Sequence, residues 1–206
     1  MKIYDISQEV FGCVVFPGDP APERFEILKK SEGAVCNLTA FKMCAHNGTH
    51  VDAPFHFIDG GKTIDEVDAE RFVGYAYVTA HEGELTEADA LRILEKAEAA
   101  QKNAAVPGAR TDAAKRILVK GKAFVSEGAA RVFAKHGILL FGNESQTVGP
   151  EDAPRNVHLI MLGAEIVLLE GIRLDGVEEG IYLLNAMPVN LGGSDGAPCR
   201  AILIAP

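Results

Sequence analysis

A mixed α/β fold with substantial antiparallel pairing is what this sequence predicts, on three observations. Eight short runs rich in β-branched or aromatic residues are bounded by Gly, Pro, Asn or Asp, as strands are. Three stretches with helical signals interleave with them. The 206 residues, 48% of them hydrophobic, suffice for one sizeable core and are short for two, so a single domain over residues 1–206 is expected.

The first strand is expected over Lys2 to Ile6 and the second over Asn37 to Ala45, with a third over Val73 to Ala80. The first helix follows from Thr86 to about Gln101. Thr86 can cap it, Asp89 stands three residues on, and Leu91, Ile93, Leu94 and Ala97 recur at helical spacing. A strand over Arg116 to Lys120 precedes a helix from Ser126 to His136, capped by Ser126 and stopped at Gly137. A strand over Gly137 to Phe141 leads to a shorter helix over Ala153 to Leu162 that ends at Gly163. Strands over Glu165 to Glu170, Gly180 to Asn185 and Arg200 to Ala205 complete the chain. Gly192, Gly193 and Gly196 suggest a tight turn before the last strand and no phosphate loop, because no Gly-Lys-Ser/Thr follows.

Composition excludes several partners. A net charge of -9 disfavours nucleic acid, whose binding draws its affinity from Lys and Arg. No run approaches the length of apolar sequence a membrane helix needs, and the start, MKIYDISQEV, lacks a secretory signal pattern, so a cytoplasmic enzyme is expected. Cys13, Cys36, Cys44 and Cys199 show no Cys-x-x-Cys spacing and are read as small buried residues.

Chemistry concentrates in residues 46 to 57, which read His-Asn-Gly-Thr-His-Val-Asp-Ala-Pro-Phe-His-Phe and hold three of the six histidines. A lone histidine is more often a core or surface residue than a ligand, but this density beside a carboxylate points to a metal held by His46, His50 and Asp52. Gly48 and Pro54 make a helix improbable. In a straight strand about 13 Å would separate His46 from His50, so Gly48, free to adopt positive φ, is where the chain should bend around the ion. Two imidazoles and a carboxylate leave a coordination position open, as catalytic sites do and Cys-rich structural sites do not. A divalent ion there makes a water acidic and polarises a carbonyl. His56 is then placed to move a proton to the leaving group, although it can also serve as a further ligand. Phe55 and Phe57 are read as packing.

The same stretch resembles the signature of the metal-dependent cyclase and hydrolase family that includes bacterial kynurenine formamidase (arylformamidase) and isatin hydrolase. The similarity extends to Phe-Pro-Gly-Asp at 16 to 19, His158 with Leu-Gly at 162 to 163, Leu-Glu-Gly at 169 to 171, and Gly-Gly-Ser-Asp-Gly-Ala-Pro-Cys-Arg-Ala at 192 to 201. What the resemblance implies is a swivelling β/β/α fold and a centre in which His158 and Glu170 complete a two-ion site, with Asp52 and Glu170 bridging. It implies a Zn or Mn cofactor, one or two ions per chain, His56 as acid/base, and a homodimer or homotetramer. The family pattern has Trp where this chain has Phe16, and the chain contains no Trp. Phe16 can still stack on a planar or aromatic small-molecule substrate, but N-formylkynurenine itself is placed in doubt.

The expected activity is metal-assisted hydrolysis of an amide, lactam or lactone. Two other readings fit the same residues. One is a cyclase or dehydratase in which His56 abstracts a proton, and the other is a non-catalytic protein that binds metal or a small acid.

Overall fold

The computed structural model describes residues 1–103 and 112–205. In chain order these form β1 (Ile3–Asp5), β2 (Glu23–Leu28), β3 (Leu38–Lys42), β4 (His50–Asp52), β5 (Val73–Ala80), β6 (Gly83–Leu85) and α1 (Glu87–Lys102). There follow β7 (Arg116–Lys120), β8 (Ala123–Val125), α2 (Glu127–His136), β9 (Leu140–Asn143), α3 (Arg155–Gly163), β10 (Val167–Glu170), β11 (Gly180–Asn185), β12 (Gly196–Pro198) and β13 (Ile202–Ile204).

Nine strands make one mixed sheet in the order β1-β13-β11-β5-β7-β9-β10-β4-β12. Its centre, β5-β7-β9-β10, is parallel, and the flanking pairs are antiparallel. Parallel neighbours need a crossover. The three helices are those crossovers, and their apolar residues pack in one cluster with one face of the sheet. Strand alternation divides the core accordingly. Ile117 and Val119 of β7 join Ile93 and Phe133 on the helical face, while Leu118 joins Leu140, Leu169 and Phe72 on the other. Central strands are therefore buried on both faces, which is why they read as continuous apolar runs. No described helix is long and apolar enough to cross a membrane.

The expected spans for β5, β7 and β11 coincide with the observed ones. Thr86 caps α1 through a full capping box with Asp89, and Ser126 caps α2 while Gly137, at φ 60°, closes it. Several expectations need correction. The strand expected from Gly137 begins at Leu140, because Gly137 is consumed by the helix stop. Gly163 is the last residue of α3 rather than its stop, and Glu165 takes the left-handed turn that follows. Leu91 faces solvent, its place on the buried stripe of α1 being taken by Ala90. Cys36 is exposed and the other cysteines are half-buried. The strands β2, β6, β8 and β12 carried no expectation: β2 carries Glu23, Arg24 and Glu26 among its six residues, and the other three are each three residues long. Gly192 to Gly196 do not lead straight into the last strand, since β12 intervenes and pairs with β4.

Candidate metal centre

Local sequence bends the chain around the site as the glycine suggested. Gly48 sits at φ 66°, and the chain then straightens into β4. Alternation along β4 puts His50 and Asp52 on one face and sends Val51 into the core cluster opposite. Antiparallel pairing of β4 with β10 sets His50 directly across from Glu170. Pro54 opens a short 3-10 turn that ends on His56, and α3 supplies His158.

These side chains converge. His50 Nε2 lies 3.4 Å from Glu170 Oε2 and 3.5 Å from Asp52 Oδ1. His158 Nε2 lies 3.3 Å from Glu170 Oε1 and 3.7 Å from Asp52 Oδ2. His46 Nδ1 meets Asp52 Oδ1 at 2.9 Å. His50, Asp52, His158 and Glu170 are each at most 3% exposed.

The orientation of two imidazoles is fixed from behind. His50 Nδ1 donates to the Gly48 carbonyl at 3.0 Å, and His158 Nδ1 donates to the Pro154 carbonyl at 2.8 Å. A carbonyl only accepts, so Nδ1 carries the proton and Nε2 faces the carboxylates in each ring. This is how metal-binding histidines are held. The Gly48 carbonyl also accepts from Gln146 Nε2, and Gln146 Oε1 accepts from Gln8. Gln8 and Thr49 both donate to the carbonyl of Gly171, the residue after Glu170.

The electrostatics call for positive charge. Burial alone would lower the His46 pKa, but hydrogen bonds to Asp195 and Asp52 outweigh it and push it up to about 11. Burial is likewise overcome at His158, where Glu170 and then Asp52 raise the pKa to about 9. His50 is raised against its burial by Glu170 and Asp52. Burial works to raise Asp52, but the bond to His46 and the nearby imidazoles hold it well below the usual carboxylate range.

The donor set fits a divalent ion. His50, Asp52 and Glu170 offer ligand atoms within 4.8 Å of one another, and so do His46, Asp52 and His56. Asp52 belongs to both groups. Imidazole and carboxylate ligands accept divalent ions of more than one kind, and geometry and supply select among them.

All the residues singled out from sequence meet here, and Phe16 lines the cleft of about 230 Å³ that opens onto them. Sequence reasoning missed Asp195. Its Oδ2 accepts from His46 Nε2 at 2.9 Å and from His56 Nδ1 at 3.1 Å, and these bonds hold its own pKa far down. Its signal was its place in the quoted Gly-Gly-Ser-Asp-Gly run, read only as a turn. Phe57, expected to pack, does so but also stacks on the His158 ring at 4.6 Å between centroids. Phe55, also expected to pack, is exposed.

Two outcomes follow. Gly171 has φ 68°, and a Cβ there would overlap Gln146 Oε1, the Gly48 carbonyl and Gln8 Nε2. Gly171→Ala should therefore lose roughly 2–4 kcal/mol of stability by urea denaturation and should also weaken ion uptake. At pH 7 titration with Zn or Mn should release protons, since His46 and His158 are cationic without an ion and ligate only when neutral. Calorimetry in buffers of different ionisation enthalpy reads that release; a buffer-independent heat would contradict it.

A family model described as "Putative cyclase" matches residues 4–150. A kynurenine formamidase of Salinibacter ruber (strain DSM 13855 / M31) is 30% identical over 223 residues, covering 98% of this chain and 97% of that one. A solved "potential metal-dependent hydrolase with cyclase activity" superposes with a TM-score of 0.77 at 26% identity, over 98% of this chain and 96% of that one. Isatin hydrolase A from Labrenzia aggregata has the same fold, with a TM-score of 0.77 at 21% identity over 98% and 93% of the two chains.

Proposed function

From the premise that this chain belongs to the cyclase family, we propose that its 206 residues work as one metal-dependent hydrolase domain cleaving a non-peptide C–N bond, or a lactone C–O bond, in a small planar or aromatic substrate. One observation carries the reading: three imidazoles and two buried carboxylates converge at the floor of a cleft that also presents His56 and Phe16.

His46, His50, Asp52, His158 and Glu170 would hold Zn or Mn, one or two ions per chain, with Asp52 shared if there are two. A divalent ion supplies Lewis acidity, polarising a carbonyl oxygen and making water a stronger acid. His56 is the group for proton transfer. Its Nδ1 is held by Asp195, so the ring is oriented with Nε2 available to the cleft, and its side chain is 27% exposed, enough to meet a substrate. Water adds its oxygen to the carbonyl carbon, the C–N bond breaks, and His56 passes the proton taken from water to the departing nitrogen. An acid and an amine result. Phe16 offers the ring a flat apolar wall.

Purified wild type should carry divalent metal by elemental analysis and hydrolyse N-formyl aromatic amides, isatin or lactones, with the products together heavier than the substrate by one water. His50→Ala should lose both metal and turnover. His56→Ala should keep the metal and lose about 10²–10⁴ in kcat. A His56→Ala protein as active as wild type would exclude it from proton transfer, and products whose summed organic mass is unchanged or lower would favour cyclisation or dehydration.

We also propose that the chain is a homodimer paired through the ribbon of β2 and β3. Every residue of these two strands is exposed, including Phe25, Ile27, Leu28, Leu38 and Phe41. Two strands alone are at best marginally stable in water, and an apolar patch of this kind marks an interface. A two-fold pair of such ribbons would cover both copies at once. Light scattering should give twice the chain mass, falling to one chain for Phe25→Ser with Phe41→Ser. The four thiols are all free, which suits the reducing cytoplasm where we place the enzyme.

A further inference from the structure

The segment Phe16-Pro17-Gly18-Asp19 is a tight turn. The Asp19 amide donates to the Phe16 carbonyl at 3.0 Å, Pro17 presets the first central position, and Gly18 takes φ 101° at the second, as a type II turn demands. Both ends of the turn line the cleft, alongside His46, His50, His56, His158 and Glu170. The stacking platform and Asp19 therefore arrive as one rigid unit.

Two carboxylates line that cleft, Asp19 and Glu170. Glu170 is engaged on both oxygens, by the Val148 amide and His158 on one and by His50 on the other. Asp19 makes no side-chain hydrogen bond or ion pair with any described residue. When a substrate fills the cleft and displaces water, this carboxylate loses its solvent and needs a donor in exchange. The reacting group of an amide or lactam brings one donor that an ester or lactone lacks, its N–H.

Resting on the hydrolase reading above, we infer that Asp19 is the residue that sets bond specificity: it accepts the N–H of the scissile amide, so the cleft selects amides and lactams over esters and lactones. Its role is compatible with that of His56. The N–H lies in the amide plane, whereas the lone pair that receives the proton from His56 develops out of that plane as the carbonyl carbon becomes tetrahedral. A site built around one hydrogen bond discriminates strongly against an analogue that lacks it, because its own polar group is then left without a partner.

The test uses three probes on metal-loaded protein: formanilide, N-methylformanilide and phenyl formate. Asp19→Ala should lose about tenfold or more in kcat/KM on formanilide while phenyl formate and N-methylformanilide change less than about threefold. Asp19→Asn, which keeps an accepting oxygen, should recover part of the formanilide rate. An equal fall on all three probes, or no fall on any, overturns the inference while leaving the hydrolase reading intact. If wild type turns over none of the three, the hydrolase reading fails for these bonds, and calorimetry still decides on Asp19. In that case binding of indolin-2-one at least about tenfold weaker to Asp19→Ala than to wild type supports the contact, and equal binding overturns it.

Discussion

Asp52 and Glu170 are two carboxylates, each at most 2% exposed, that sit side by side beneath one cleft. Moving a charge of that kind out of water costs several kcal/mol, and like charges repel in addition. Such a pair persists only where cations surround it. Here the cations are imidazoles: the pKa values of His46 and His158 are pushed up to about 11 and about 9, and that of His50 is raised as well. The protein therefore spends three histidines on neutralising a centre that a divalent ion would neutralise better, and that need organises everything around it.

The topology explains why the centre lies where it does. Glu170 ends β10, the last parallel strand, and β4 then joins antiparallel. The loops carrying Gln146 and Thr147 leave the carboxyl end of the neighbouring parallel strand, β9. In open α/β sheets, ligands bind outside the carboxyl ends of the parallel strands. The switch from parallel to antiparallel supplies both ingredients in one place: a strand end that delivers Glu170 and a facing strand that delivers His50 and Asp52 in register with it.

What the sequence made legible follows from distance along the chain. His46, His50, Asp52 and His56 lie within eleven residues, and Gly48 announced its own bend. Long central strands were legible because burial on both faces makes them apolar throughout. The family resemblance, not local pattern, identified His158 and Glu170, since one lies in an apolar helix and the other ends a buried strand. Asp195 escaped because a Gly-rich run reads as a turn, and nothing local reveals that β12 returns it 149 residues later to His46. Three-residue strands such as β12 are fixed by what they pair with, and no periodicity exists over that length.

Asp195 also shows why His46 and His56 cannot be treated as separate parts. A single oxygen, Oδ2, accepts from both His46 and His56, and the two rings stack with centroids 4.0 Å apart. Any change in the charge of His46 alters the strength of the bond that orients His56. An imidazole that lost its proton from Nδ1, the nitrogen facing Asp52, would keep its Nε2–H bond to Asp195, so the oxygen would stay shared between the two rings. Energies measured at these three residues will therefore not add. The carboxylate that sequence reasoning overlooked therefore couples the ring beside Asp52 to the ring that opens onto the cleft.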